Sequence, residues 1–352
     1  MRHLISLASR GASGRLAAMA MLPSMPMLKP SAIILVTALL AVPFSGACAR
    51  DTGLIFASFD VVNHITVIDP KTGAAVKKLT TCRRPRDMQF NPDHSRLYVA
   101  CRDDDVIRII DVASLEFVGK LHTLSKPEAF GVDEKRRRLY VANQEGASLA
   151  VIDMDQDITV REIATGAEPE SVVVSDDGRF VYVASVVDDF IHRIDAEDGH
   201  VVDDVVVGTK PHRIVATPDG KNLLVAAELS GEIDIINQTD FTITAKIAFS
   251  RPDTEAVPVT ITDFVLTRDG RTAYVALGGA FHVAAVDVQT RRIKDYVPIG
   301  EGSAHIGMTR NEETLLVTNA SGTDITSINI TNHEVTTSTP VGRCPSAFVI
   351  DN

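Results

Sequence analysis

The sequence predicts an all-β chain, a seven-bladed β-propeller of four-stranded antiparallel blades, because three columns of residues recur through it at one spacing. The first column is Phe56, Tyr98, Tyr140, Tyr182, Leu224, Tyr274 and Leu316, 42 residues apart except for one interval of 50. The second, Asp69, Asp111, Asp153, Asp195, Asn237, Asp287 and Asn329, keeps that register and shares the interruption. The third is Pro85, Pro127, Pro169, Pro211, Ile261, Ser303 and Pro345. Independent columns that break together are repeats, and a period near 40 with four strands per unit is that of a propeller blade.

The stretch from Arg179 to Gly220 shows the unit in full. FVYVAS, FIHRID, HVVDDVVVG and HRIVAT are short runs rich in Val and Ile, so they read as strands; VVDD, AEDG, TKP and PDG between them read as tight turns. Asp219-Gly220 after Pro218 is a hairpin turn, since Gly takes the positive φ that a branched residue resists. Val and Ile fill adjacent as well as alternate positions, which predicts strands covered on both faces, as in sheets stacked against sheets.

Before the repeats, residues 1–49 contain Arg2, Arg10, Arg15 and Lys29 and no acid, and their uncharged run Ser31 to Ala49 holds AIILVTALLAVPF. That apolar core is too short to span a bilayer comfortably, for which about 20 residues are needed. It ends in Ala47-Cys48-Ala49, an A-x-A pattern, so the segment reads as an export signal cut after Ala49, delivering the chain to the periplasm with no membrane span in its mature form. Residues 53–352 are then the propeller. Without residues 1–49 the net charge is −15. A chain of that net negative charge has the wrong field for nucleic acid.

The first repeat opens at Ile55 without a preceding strand, whereas the last ends on Ser346-Ala-Phe-Val-Ile. The C-terminal strand is therefore expected to complete the first blade, which joins the ring and leaves no open seam. The fifth blade carries eight extra residues between Ile247 and Ile261, an insertion over 248–260 that must project from a face. Cys82, Cys101 and Cys344 remain after the export signal; Cys82 and Cys101 flank one hairpin, and they are either bridged or buried as thiols. No C-x-x-C, G-x-S-x-G, H-E-x-x-H or phosphate-loop motif occurs.

The units LYVACRDDDVIRIIDVASLEFVGKL and LYVANQEGASLAVIDMDQDITVREIATGAEPESVVVSDDGR resemble the YVTN repeat, a Tyr-Val-x-Asn strand, a V-x-V-I-D strand and a V-G-x-x-P loop before P-D-G. The resemblance runs from Gly53 to the C-terminus, with Ile261 and Ser303 departing at proline positions. RRPRDMQFNPD, KPEAFGVD, AEPESVVVSDDG, EAVPVTITDFVLTRDG and TAYVALGGAFHVAAVD are similar, in order, to seven-bladed propellers found beside PQQ-dependent alcohol-oxidation genes. This resemblance implies an exported, non-enzymatic accessory protein whose partner is a periplasmic dehydrogenase or cytochrome. Quinoprotein propellers dock their blades with tryptophans, and this chain has none, so no bound PQQ or other cofactor is expected.

In a propeller, the loops leading into each inner strand share one face with those joining the second and third strands, around a central channel. The charged residues there make a ring of mixed sign, from which Arg86, Glu128, Glu170, His212, Arg213, Glu255 and His305 are the candidates for binding a small anionic or hydroxylated molecule. Arginines would supply charge-assisted hydrogen bonds and carboxylates would accept them. The competing reading is a ring of salt bridges that neutralises itself. Asp103-Asp104-Asp105, Glu145, Asp188-Asp189 and Glu228 lack the D-x-D-x-D-G spacing of a calcium loop and read as a solvated acidic face, with no metal expected. Propeller lactonases resemble this architecture and use Arg, His and Glu around the channel, which implies an alternative, a lactonase-like hydrolase. A structural envelope protein is the third reading.

Overall fold

Each repeat folds as one antiparallel sheet of four strands, and seven such sheets are found in the computed structural model, which describes residues 52–59, 62–80, 82–252, 259–300, 302–319, 322–341 and 345–351. Residues 1–49, where an export signal is expected, Glu255 within the insertion, and Cys344 lie outside the described residues. The second blade shows the order, running outward from Pro85–Phe90 through Arg96–Cys101 and Val106–Asp111 to Glu116–His122. The first blade takes its inner strand from the far end of the chain: Pro345–Ile350 pairs antiparallel with Ile55–Phe59, in the register Ile55 to Ile350 and Ala57 to Phe348.

Burial is greatest in the second strands, eases at the inner strands that line the channel and falls away toward the rim. In the second strand of the second blade every residue from Leu97 to Cys101 is buried, whereas in the outer strand Ile158–Ala164 only Ile163 is. The apolar clusters lie between blades rather than within them; one joins Tyr98 and Ile107 of the second blade to Phe130, Leu139 and Ile152 of the third.

The tyrosine column acts as the blade-to-blade fastening in a chain without tryptophan. Tyr98 Oη donates to Glu134 Oε1 of the next blade at 3.0 Å, Tyr140 Oη to Ala196 O at 3.4 Å, and Tyr182 Oη to Gln238 Oε1 at 3.0 Å. Burial pushes the Tyr182 phenol up to about 12, which keeps it a donor. Each ring fills an interblade gap while its hydroxyl reaches a polar turn, the division of labour that suits tyrosine.

Cys82 and Cys101 form a disulfide with Cα atoms 5.5 Å apart, which decides between the two states the sequence leaves open.

Candidate functional site

The residue before the proline column adopts a left-handed backbone in four blades, with φ of 51° at Arg84, 43° at Lys126, 52° at Glu168 and 63° at Lys210. None of these is glycine, so the conformation is costly and needs fixing by its surroundings. The fixing comes from the loops between second and third strands, of the preceding blade at Lys126 and Lys210 and of the same blade beside Arg84 and Glu168. Lys126 N donates to Asp105 Oδ1 and Lys210 N to Asp189 Oδ1, each at 2.8 Å. Asp104 takes Arg83 N at 2.9 Å, and Asp188 takes Ala167 N at 2.9 Å. These aspartates, expected as a solvated acidic face, are instead spent on backbone amides and set the path of the chain into each inner strand. Glu228, from the same set, pairs with Lys210 Nζ at 2.6 Å.

Past the proline column the ladder to the second strand slips, between Pro169 and Ser171, Pro211 and Arg213, and Ile261 and Asp263. A regular strand sends neighbouring side chains to opposite faces. The bulge defeats that alternation and re-aims the strand. Two consecutive residues per blade therefore line one central cavity of about 620 Å³: Arg86 with Asp87, Glu170 with Ser171, His212 with Arg213, and Thr262 with Asp263.

Six of the seven sequence candidates line that cavity, namely Arg86, Glu128, Glu170, His212, Arg213 and His305; Glu255 is outside the described residues. Glu128 bridges two arginines, taking Arg86 Nε on Oε1 at 2.6 Å and Arg102 Nη1 on Oε2. Glu170 has a much weaker partner, Gln144 Nε2 at 3.5 Å. Burial and the neighbouring Glu128 push its carboxyl above the usual range, against the pull of Lys210 and Arg86. His212 donates Nε2–H to Thr262 O at 2.7 Å, and its Nδ1 is buried without a hydrogen-bond partner. Burial lowers its pKa, so the imidazole is neutral at neutral pH.

Two carboxylates that the column pattern alone does not single out complete the wall. Asp263 holds Arg213 Nε at 3.2 Å on one oxygen and His305 Nδ1 at 3.3 Å on the other. Burial works against its ionisation, yet Arg213 and His305 outweigh burial and keep its carboxyl below the ordinary range. Asp87 accepts Gln89 Nε2 at 2.9 Å and Phe130 N at 3.3 Å. There burial prevails over Arg213 and these hydrogen bonds, and the carboxyl is pushed up. Asp263 occupies the same repeat position as Asp87 and Arg213, which is the signal that finds it once one residue of the column is suspected.

Much of the ring does neutralise itself, as the competing reading expects, and one cation keeps capacity to spare. Arg213 meets Asp263 through Nε, and its terminal amino groups make no hydrogen bond among the described residues, while its side chain is 45% exposed. A planar guanidinium with free edges is suited to a carboxylate or phosphate. No group of three or more His, Cys, Asp or Glu able to hold a metal ion occurs among the described residues.

No protein-family model matches this chain, and no curated protein does. Solved structures do. A protein from Lactobacillus plantarum matches with a TM-score of 0.72 at 17% identity, over 84% of this chain and 98% of the other. A putative 6-phosphogluconolactonase from Bacteroides fragilis matches with a TM-score of 0.70 at 15% identity, over 86% and 99%. The hydrazine synthase of Kuenenia stuttgartiensis matches with a TM-score of 0.66 at 18% identity, over 74% and 88%. What they share with this chain is the propeller fold.

Proposed function

We propose that the channel mouth binds a small hydroxylated molecule bearing an anionic group, without turning it over. The observation that carries this reading is Arg213, anchored by Asp263 through one edge and unengaged at the other, on the wall of a cavity also lined by Glu128, Glu170 and His305. The guanidinium would take the anion, and the carboxylates would accept from hydroxyls. The cavity is of the size that small-ligand sites usually have. The resemblance of the repeats to propellers found beside PQQ-dependent oxidation genes extends the proposal: an exported, periplasmic protein accessory to alcohol oxidation, working with a dehydrogenase or cytochrome.

Calorimetric titration with a panel of hydroxy acids and sugar acids tests the binding. At least one member should bind, with Arg213→Lys weakening it by about tenfold, since lysine keeps the charge and loses the fork. Binding untouched by the substitution, or no binding across the panel, overturns the reading. Co-purification from cells grown on an alcohol tests the accessory role separately.

Lactone hydrolysis is the second reading, favoured by Glu170, a carboxyl on the cavity wall that burial makes a stronger proton acceptor than an ordinary glutamate. His212 does not help it, because the lone pair of its neutral ring is shut off from solvent at Nδ1. Turnover of a lactone abolished by Glu170→Gln would establish hydrolysis; no turnover of a lactone panel leaves binding as the function.

A further inference from the structure

A second cavity, of about 420 Å³, opens between the fifth and sixth blades on the face opposite the channel mouth, where the first-to-second and third-to-fourth strand turns lie. Its origin can be read from the repeat. One interface earlier, between the fourth and fifth blades, four side chains interlock. Tyr182 stacks on Phe241 with centroids 5.9 Å apart, and Arg193 sits 4.8 Å from the Phe241 ring and 5.1 Å from the Phe180 ring. Tyr182 Oη then reaches Gln238. Moved on by one repeat, Phe180 becomes Asn222, Tyr182 becomes Leu224, Arg193 becomes Ile235 and Phe241 becomes Arg291. All four replacements line the cavity.

The substitutions remove three bulky side chains and leave an apolar floor of Leu224, Ile235 and Val288. They also move the cation to the other wall. Arg291 makes no ion pair or hydrogen bond among the described residues. At the rim stand Asp219 and Asp269, each held by a threonine hydroxyl at 2.7 Å on Oδ1.

We propose that this cavity is a binding site for a small phenolic molecule, its ring taking the place that Tyr182 fills one blade earlier and its face covered by the Arg291 guanidinium. An aromatic ring is the occupant because the same position holds a phenol ring in four other blades, at Tyr98, Tyr140, Tyr182 and Tyr274. A guanidinium over a ring face is favourable and needs no counter-charge. The hydroxyl is provided for by the rim aspartates, which accept a donor and repel an aromatic acid. The site is independent of the channel and of whatever the channel binds.

The probe is p-cresol, the tyrosine side chain as a free molecule, titrated into the full chain labelled at Ile, Leu and Val methyl groups. Saturable shifts are expected at Ile235 and Val288, with a dissociation constant on the order of 1 mM for so small a ligand. Leu224→Tyr should abolish those shifts by filling the space from within. Should that variant not fold, Arg291→Ala, on an exposed turn, should weaken binding by about threefold to tenfold. 4-Methylcyclohexanol, of similar shape without a π face, should bind several-fold more weakly. The proposal is overturned if p-cresol produces no saturable shifts there, or if Arg291→Ala or 4-methylcyclohexanol leaves affinity unchanged. Equal binding of p-toluate would also overturn it, because the rim aspartates would then not select a hydroxyl over a carboxylate.

Discussion

The carboxylate of Asp351 accepts hydrogen bonds from both the backbone N–H, at 3.1 Å, and the hydroxyl of Thr52, which lies 299 residues earlier in the chain. The same fully buried carboxylate meets His94 Nδ1 of the second blade at 3.1 Å. One side chain thus ties the C-terminal strand to the entry of the first blade and to the second blade, where the ring closes. Asp351→Ala leaves the Thr52 amide without this acceptor, a loss of roughly 2–3 kcal/mol. We expect a melting temperature lower by several degrees, and a greater fall on deleting residues 346–352. An unchanged melting curve for the deletion would contradict the closure.

Glu128 and Glu170 stand one repeat apart and should respond in opposite directions. Glu128→Gln deprives Arg86 and Arg102 of their shared counter-charge, costing roughly 2–4 kcal/mol by urea denaturation. Glu170 has a raised carboxyl, so the native state holds its proton more tightly than the unfolded chain does, and ionisation at neutral pH destabilises the fold. Glu170→Gln should therefore be more stable than wild type at pH 7, with the advantage gone below about pH 4, where both states are protonated. A loss of stability in both variants would show that Glu170 is paired.

His212 gives the pH dependence its sign. Its pKa is lowered by burial, so on acidification the unfolded chain takes up a proton near pH 6.5 that the native state refuses. Stability is complete above that value and falls as pH drops below it, by at most about 1.4 kcal/mol per pH unit. His212→Gln should flatten the slope between pH 7 and pH 5. Identical urea midpoints for wild type and variant across that range would refute the buried neutral ring.

The bridge between Cys82 and Cys101 closes a loop of sequence separation 19, which should contribute about 3 kcal/mol through the unfolded state. Cys101→Ser and reduction of the wild type should cost similar amounts in the same denaturation assay. A wild type indifferent to reductant would mean that the thiols are free in solution.

The fold was legible because a blade is a local object. The tyrosine and proline columns, the Asp-Gly turns and the Val-rich runs each report on contacts within about one repeat, and their recurrence multiplies a weak signal into a strong one. The site was legible in part. Arg86, Glu128, Glu170 and His212 all sit one place after the proline column, so one column finds four residues of the wall. Asp263 is the second residue past its column, as Arg213 and His305 are, and it escaped because its column residue is Ile261 rather than proline and the eight-residue insertion before it obscures the register. The bulge between Ile261 and Asp263 is what turns that second residue onto the cavity wall. The acidic loops misled for a related reason: whether Asp105 or Asp189 faces water or a backbone amide depends on the neighbouring strand's path.

The sequence by itself determined the repeat, the number of blades and the strand that completes the first of them, since these follow from spacing and from which residues suit a strand or a turn. The tertiary structure alone decided which charges meet. Arg86 and Glu128 are 42 residues apart, as are Asp263 and His305, and each pair lies within hydrogen-bond distance only because adjacent blades bring equivalent positions side by side at the hub. Coulomb attraction and burial act on distances through space, and a linear repeat fixes those distances only after the ring has closed.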